Sequence, residues 1–345
     1  MSEPKVMSPR NYGLEIGMRP DTPLTRWPIN FVFNEGGMGD FVNYAAATVW
    51  VAKNCPWVHG RIFTPRYLNE ILKDIHAPFH NWAIFASERA RELLENKTAL
   101  IGPNIVIKGV NTTKQLLNCM GAHPIDVAFA YYANMCPAPK DAYLPVLDYS
   151  ISDLIPEVAA LNKKYVVVPV GNTTDARKIT GKHLNPIIQY IFSRGLTPVF
   201  LGKVDMLGDG IATTRFADDI DFHKGLDLRD RTTLKEAACI LQHSRAVIGL
   251  DCGLLHLAAL MKDSNIIFGY NITTVEHRVP RRNHGVTINL SVSEEELKCI
   301  GCQSKLKHIA RHKFSSCIYG DTLCLDLLFK NNSSNWITAL KALDI

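Results

Sequence analysis

Four short apolar runs in the second half of the chain, KYVVVPVG, TPVFLG, AVIGLD and NIIFGY, constrain the fold more than any other feature. They are rich in β-branched and aromatic residues and are continuous rather than alternating, the pattern of strands buried on both faces of a parallel sheet. Helix-like segments fall between them: LNPIIQYIFSRG, TLKEAACILQHSR and GLLHLAALM. Strand and helix in alternation imply crossover helices on a doubly wound sheet, in which ligands bind beyond the carboxyl ends of the strands. The first half shows the same rhythm, with INFVF as strand, Asp40 to Asn54 as helix, GRIFT as strand, PRYLNEILKDI as helix and IDVAFAYY as a further strand.

At 345 residues the chain suits two domains better than one. The segment from Cys136 to Lys164 carries four prolines and interrupts the alternation, so it reads as the connection. The expected organisation is an extended N-terminal arm at 1–28, an α/β domain at 29–150, a linker at 151–164, a second α/β domain at 165–330 and a C-terminal helix at 331–345. Ser334 or Asn335 would cap that last helix. No run of about 18 apolar residues is present, and the N-terminal segment has no apolar h-region. Nine cysteines, an odd number, then point to reduced thiols and a cytoplasmic setting. The formal net charge of +5 fits an anionic ligand without requiring nucleic acid.

Three stretches carry chemistry. In NEGGMGDFV, Gly37 and Gly39 let a ligand approach the backbone, and Asp40 stands where the strand turns into the helix. A dinucleotide fingerprint would need a third glycine where Val42 stands, which argues against an NAD-dependent oxidoreductase. A plain alternative is that Asp40 caps the helix. In VPVGNTTDARKITG, the hydroxyls of Thr173 and Thr174 and the cation of Lys178 follow a strand and suit a phosphate, although such a stretch also serves as an ordinary polar loop. In VIGLDCGLLHLAALM, Asp251, Cys252 and Gly253 lead into an apolar helix containing His256. A helix start of this kind favours a diphosphate. The plainer readings make Asp251 a helix cap and His256 a core residue.

Taken together and in this order, GGMGDFV, NTTDARK and LDCGLLHLAAL resemble glycosyltransferase family nine, the ADP-heptose:lipopolysaccharide heptosyltransferases, over roughly residues 29 to 290. The resemblance implies a GT-B fold: two Rossmann-like, doubly wound parallel-sheet domains facing across a cleft, acceptor on the first and nucleotide-diphosphate sugar on the second. It implies an inverting transfer with Asp40 as general base and no catalytic divalent metal. Thr173, Thr174, Lys178 and the backbone at Cys252 and Gly253 would stabilise the leaving group, with Asp251 and His256 in donor-site or supporting positions. Cys252 departs from the family's usual serine or threonine, ITG replaces the aromatic and proline that often follow the lysine, and a proline typical of the first helix is absent.

Two further features stand apart. Asp219 and Asp221 form a D-x-D, a metal motif in another transferase class, read here as an acidic turn. Cys299, Cys302, Cys317 and Cys324 form C-x2-C-x14-C-x6-C, whose first pair has zinc-site spacing, so a structural zinc is expected, with His308 or His312 as substitute ligands; unconnected thiols are the plain reading. KCIGCQSKLKHIARHK holds five basic residues and no acidic one, and HRVPRR lies upstream. This basic character suits an anionic saccharide such as lipopolysaccharide core. It also suits DNA carrying hydroxymethylated pyrimidines, as in some bacteriophages, or a non-enzymatic nucleic-acid binder.

Overall fold

A computed structural model describes residues 29–33, 37–86, 104–107, 123–133, 138–171, 177–203, 219–302, 317 and 323–345. The expected arm at 1–28 lies outside these residues. The chain divides into two compact units, Met1–Leu147 and Asp148–Ile345.

In the first unit, β1 (Ile29–Phe33), β2 (Gly60–Thr64), β3 (Trp82–Ala86) and β4 (Asn104–Ile107) pair in parallel in the order β3-β2-β1-β4. Helix α1 (Met38–Asn54) follows β1 directly and buries Phe41, Tyr44, Ala45, Ala46, Ala47, Val49 and Val51. Helix α2 (Asn69–His76) follows a 3-10 turn at Arg66–Leu68, inside the segment expected to be helical. IDVAFAYY is not a strand. It lies within helix α3 (Pro124–Ala133), where Phe129 meets Trp50 of α1 edge-on with ring centroids 5.3 Å apart. A short run apolar on every side does not reveal its period, and Pro124 at the first helical position starts a helix rather than a central strand.

The second unit has the sheet order β10-β9-β8-β5-β6-β7, built from β5 (Tyr165–Val170), β6 (Thr197–Gly202), β7 (Leu226–Asp227), β8 (Ala246–Leu250), β9 (Ile266–Tyr270) and β10 (Thr287–Ser291). All described pairings are parallel. β5, β8 and β9 are buried along their whole length, as their unbroken apolar runs require. This is the doubly wound order in which the chain first builds outward from β5, then returns to β8 on the other side. β5 and β8 are therefore adjacent strands whose connections diverge, and their carboxyl ends form the crevice where such sheets bind ligands.

Helices α4 (Pro156–Ala159), α5 (Gly181–Ser193), α6 (Leu234–His243), α7 (Gly253–Ala258), α8 (Val275–Arg278), α9 (Leu323–Leu328) and α10 (Lys330–Lys341) complete the unit. Helix α6 begins with a capping box, in which Thr233 Oγ1 accepts from the Glu236 amide while Glu236 reaches back to the Thr233 amide at 2.7 Å. Helix α10 has left-handed backbone at Asn331, Asn332 and Ser333, so its right-handed turns begin only after Ser333. Its Trp336 is buried, stacks on Phe329 with centroids 4.8 Å apart, and lies over β9 where Gly269 has no side chain. A Cβ at Gly269 would sit 2.6 Å from the indole.

Candidate functional site

At the end of β5 the chain turns through Gly171, whose φ of +105° and 2.7 Å clearance from the Lys203 carbonyl admit only glycine without strain. Thr173 and Thr174 lie outside the described residues. The chain resumes at Arg177 and Lys178, which differ in exposure: the Arg177 side chain is 13% exposed, while Lys178 is open to solvent.

Arg177 Nη2 donates to Asp251 Oδ2 at 3.0 Å. Asp251, just past β8, is buried, and its amide donates to the Gly269 carbonyl of β9. The same Oδ2 accepts from Thr273 Oγ1 at 2.8 Å, and Oδ1 lies 3.0 Å from His256 Nε2. A carboxylate only accepts, so His256 carries its proton on Nε2 toward Asp251. Burial by itself would raise the Asp251 carboxyl, but the Arg177 guanidinium, the His256 contact and the charge of Arg278 outweigh it and hold the group well below the ordinary carboxylate range. Side chains from beyond β5, β8 and β9 thus converge on one ionised carboxylate.

This arrangement bears on both plainer readings. Asp251 is not the cap of α7: that position belongs to Cys252, in extended backbone, and the Asp251 carboxylate turns inward. His256 is a core residue, 2% exposed and edge-on to Phe268 at 5.2 Å. Burial pushes the Cys252 thiol up to about 11, with the Leu255 and Leu254 amides opposing and the Asp251 charge adding, so it is neutral near pH 7. Gly253 opens the helix beside it. Arg177, Thr273 and Arg278 were missed in the sequence. Arg177 stands inside NTTDARK beside the selected lysine, whereas Thr273 is 22 residues from its partner and leaves no local signal.

In the first unit Gly37 is the N-cap of α1, with φ of −90°, and a Cβ placed there would lie 4.0 Å from the Asp40 carboxylate. Its amide donates to Asp40 Oδ2 at 3.0 Å. Gly39 lies in the first turn, where its carbonyl accepts from Asn43 Nδ2 at 2.7 Å. Asp40 therefore stands at the third position of α1, serves the Gly37 cap as its capping-box partner and is partly exposed.

Residues 134–310 match the profile of glycosyltransferase family 9 (heptosyltransferase), 177 of the 345 positions. The chain belongs to glycosyltransferase family 9. Comparison with curated proteins gives no match. Among solved structures, the chain is similar to the dodecameric iron-containing heptosyltransferase TibC of enterotoxigenic E. coli in complex with ADP-D-beta-D-heptose, with TM-score 0.65 and 13% identity, covering 92% of this chain and 76% of that one. It is also similar to E. coli ADP-heptose lps heptosyltransferase II, with TM-score 0.58 and 11% identity over 91% and 98% of the two chains. The E. coli heptosyltransferase WaaC with ADP gives TM-score 0.52 and 11% identity over 90% and 99%. The two units are the Rossmann-like domains of a GT-B glycosyltransferase, and the protein is an enzyme of that class. The nicotinamide and DNA readings gain nothing from these matches.

Within this family 9 chain the remaining motifs have structural work. Asp219 Oδ1 accepts from the Gly181 amide at 3.0 Å and so serves the start of α5, while Asp221 pairs with Lys224 at 2.6 Å. The acidic-turn reading of the D-x-D describes both. Arg282 of HRVPRR is turned inward, bonded to the Ser264 and Val286 carbonyls and the Thr287 hydroxyl, so it adds nothing to a cationic surface. Residues 303–316, which hold most of the basic run together with His308 and His312, lie outside the described residues.

The expected zinc finds no support: no group of three His, Cys, Asp or Glu side chains among the described residues is arranged to hold a metal ion. Cys324 instead accepts from Asn271 Nδ2 at 3.6 Å, and burial, with the charges of Cys317, Cys302 and Cys299 adding, pushes its thiol up to about 11. The Gly301 amide, between Cys299 and Cys302, donates to the Asn271 carbonyl at 2.9 Å. The cysteine-bearing segment thus packs on the loop that carries Thr273. Among the described residues no helix is long and apolar enough to cross a membrane.

Proposed function

We propose that this family 9 enzyme transfers a glycosyl group from a nucleotide-diphosphate sugar to a hydroxyl of an anionic saccharide, in the manner of a heptosyltransferase of lipopolysaccharide core assembly. The observation that carries the donor assignment is the convergence of Arg177, Asp251 and Thr273 at the carboxyl ends of β5, β8 and β9, the crevice position of a doubly wound sheet. Lys178, exposed and beside the buried Arg177, is the cation for the diphosphate, with Thr173, Thr174 and the backbone at Cys252 and Gly253 as its partners. Leaving-group charge is met by these groups, without a divalent ion.

Asp40 takes the proton of the acceptor hydroxyl as its oxygen attacks the anomeric carbon. The bond to the diphosphate breaks in the same displacement, and configuration inverts. A positioned general base contributes typically 10²–10⁴-fold. A nucleotide-sugar donor supports a cytoplasmic setting for the reaction.

The test is a panel of ADP-, UDP- and GDP-sugars, including ADP-heptose, incubated with lipopolysaccharide core oligosaccharide and followed by mass spectrometry. A gain of one glycosyl unit, with inverted anomeric configuration by NMR, is expected. Absence of both transfer and donor hydrolysis with every sugar would overturn the reading.

A further inference from the structure

We infer that Arg177 is a positioning residue of the donor site: by bonding Asp251 it ties the loop after β5 to the loops after β8 and β9 and turns Lys178 outward. The inference rests on the donor-site reading above. Asp251 is faced by Arg177 from the loop after β5, His256 from α7, Arg278 from α8, Cys252 from its own loop and Tyr270 from β9. Of these, Arg177 is the cation in direct ion-pair contact, at 3.0 Å, and it reaches across 74 residues of sequence to make it.

The geometry separates the two adjacent cations. Arg177 is shielded from water, and its Nε is buried without a hydrogen-bond partner among the described residues. Lys178, one residue on, is exposed. An arginine anchored at Asp251 fixes the backbone from which the lysine projects, so the position of the lysine depends on a contact it does not itself make. Without Arg177, the buried Asp251 charge would stand less compensated beneath the diphosphate position. It would repel an anion until protonated.

The experiment compares the full-length protein with R177M, R177K and the double variant R177M/D251N, measuring ADP and UDP binding by calorimetry from pH 5 to 8, with thermal melts as a check on folding. Affinities are read as ratios to wild type at each pH, which cancels protonation of the nucleotide. R177M should bind at least about tenfold more weakly at pH 8 and recover toward wild type as the pH falls and Asp251 takes a proton. R177K keeps the charge and should stay within about threefold, with no added pH dependence. The double variant should also lose that dependence.

Wild-type affinity in R177M at every pH overturns the positioning role while leaving the donor site standing. Absence of nucleotide binding by wild type removes the donor-site reading and this inference with it. Should R177M alone not fold, the double variant decides: it must bind ADP at least about fivefold more weakly than R177K, and equal affinity refutes the role.

Discussion

The Gly37 amide donates to Oδ2 of Asp40 at 3.0 Å, so the carboxylate proposed as general base also serves the cap of the helix on which it sits. The two roles are compatible because an ionised carboxylate offers two oxygens with about four lone-pair sites, more than the Gly37 amide uses. They are also separable by substitution.

Asp40→Asn retains an acceptor for the Gly37 amide but cannot take a proton. Transfer should fall by about 10²–10⁴-fold while the melting temperature changes little. Asp40→Ala should lose the same activity and, in addition, about 1 kcal/mol of stability with the cap. Steady-state transfer rates and thermal melts on the two variants check this, and wild-type turnover by the asparagine variant would remove Asp40 as base.

Lys178 is exposed, so its loss leaves packing intact. Lys178→Ala should keep wild-type stability and weaken ADP binding by about 10- to 100-fold, the range of one charge-assisted hydrogen bond. Calorimetric titration with ADP measures it, and unchanged affinity would count against the assignment.

His76 links folding of the first unit to pH. It is buried, Nδ1 donates to the Leu72 carbonyl at 2.9 Å, and Nε2 is left to accept from the Thr48 hydroxyl at 3.0 Å. Burial lowers its pKa to about 4, with the Leu72 bond opposing. The folded state thus holds the proton less tightly than the unfolded chain, so the contribution is fully present above about pH 6.5 and is lost as pH falls toward 4, to a total of about 3 kcal/mol. Urea unfolding between pH 7 and pH 4 should show this decline, and His76→Gln should flatten it.

Trp336 joins the terminal helix to β9. Trp336→Ala removes a fully buried indole stacked on Phe329 and should cost about 3 to 5 kcal/mol. Gly269→Ala, which leaves the tryptophan but drives a methyl into its ring, should also lower the melting temperature. Chemical denaturation of both variants tests the contact from its two sides.

The sequence by itself determined the parallel α/β architecture, the strands β5, β6, β8 and β9, the extent of α1 and the motif order that identifies the family. Each is written within a few neighbouring residues: a strand buried on both faces must be apolar throughout, and a crossover helix must start where such a strand stops. The edge strands β3 and β10 are partly exposed and carry no such signal. Only the tertiary structure decided that IDVAFAYY is helical, that Asp219 serves the start of α5 across 38 residues, and that Arg177 rather than Lys178 holds Asp251. It also turned Asp251 from a helix cap into the centre of a buried network. Partner choice at these positions follows from which strands lie side by side. That order is set by long crossover connections, and a buried charge takes whichever counter-charge the finished sheet brings within reach.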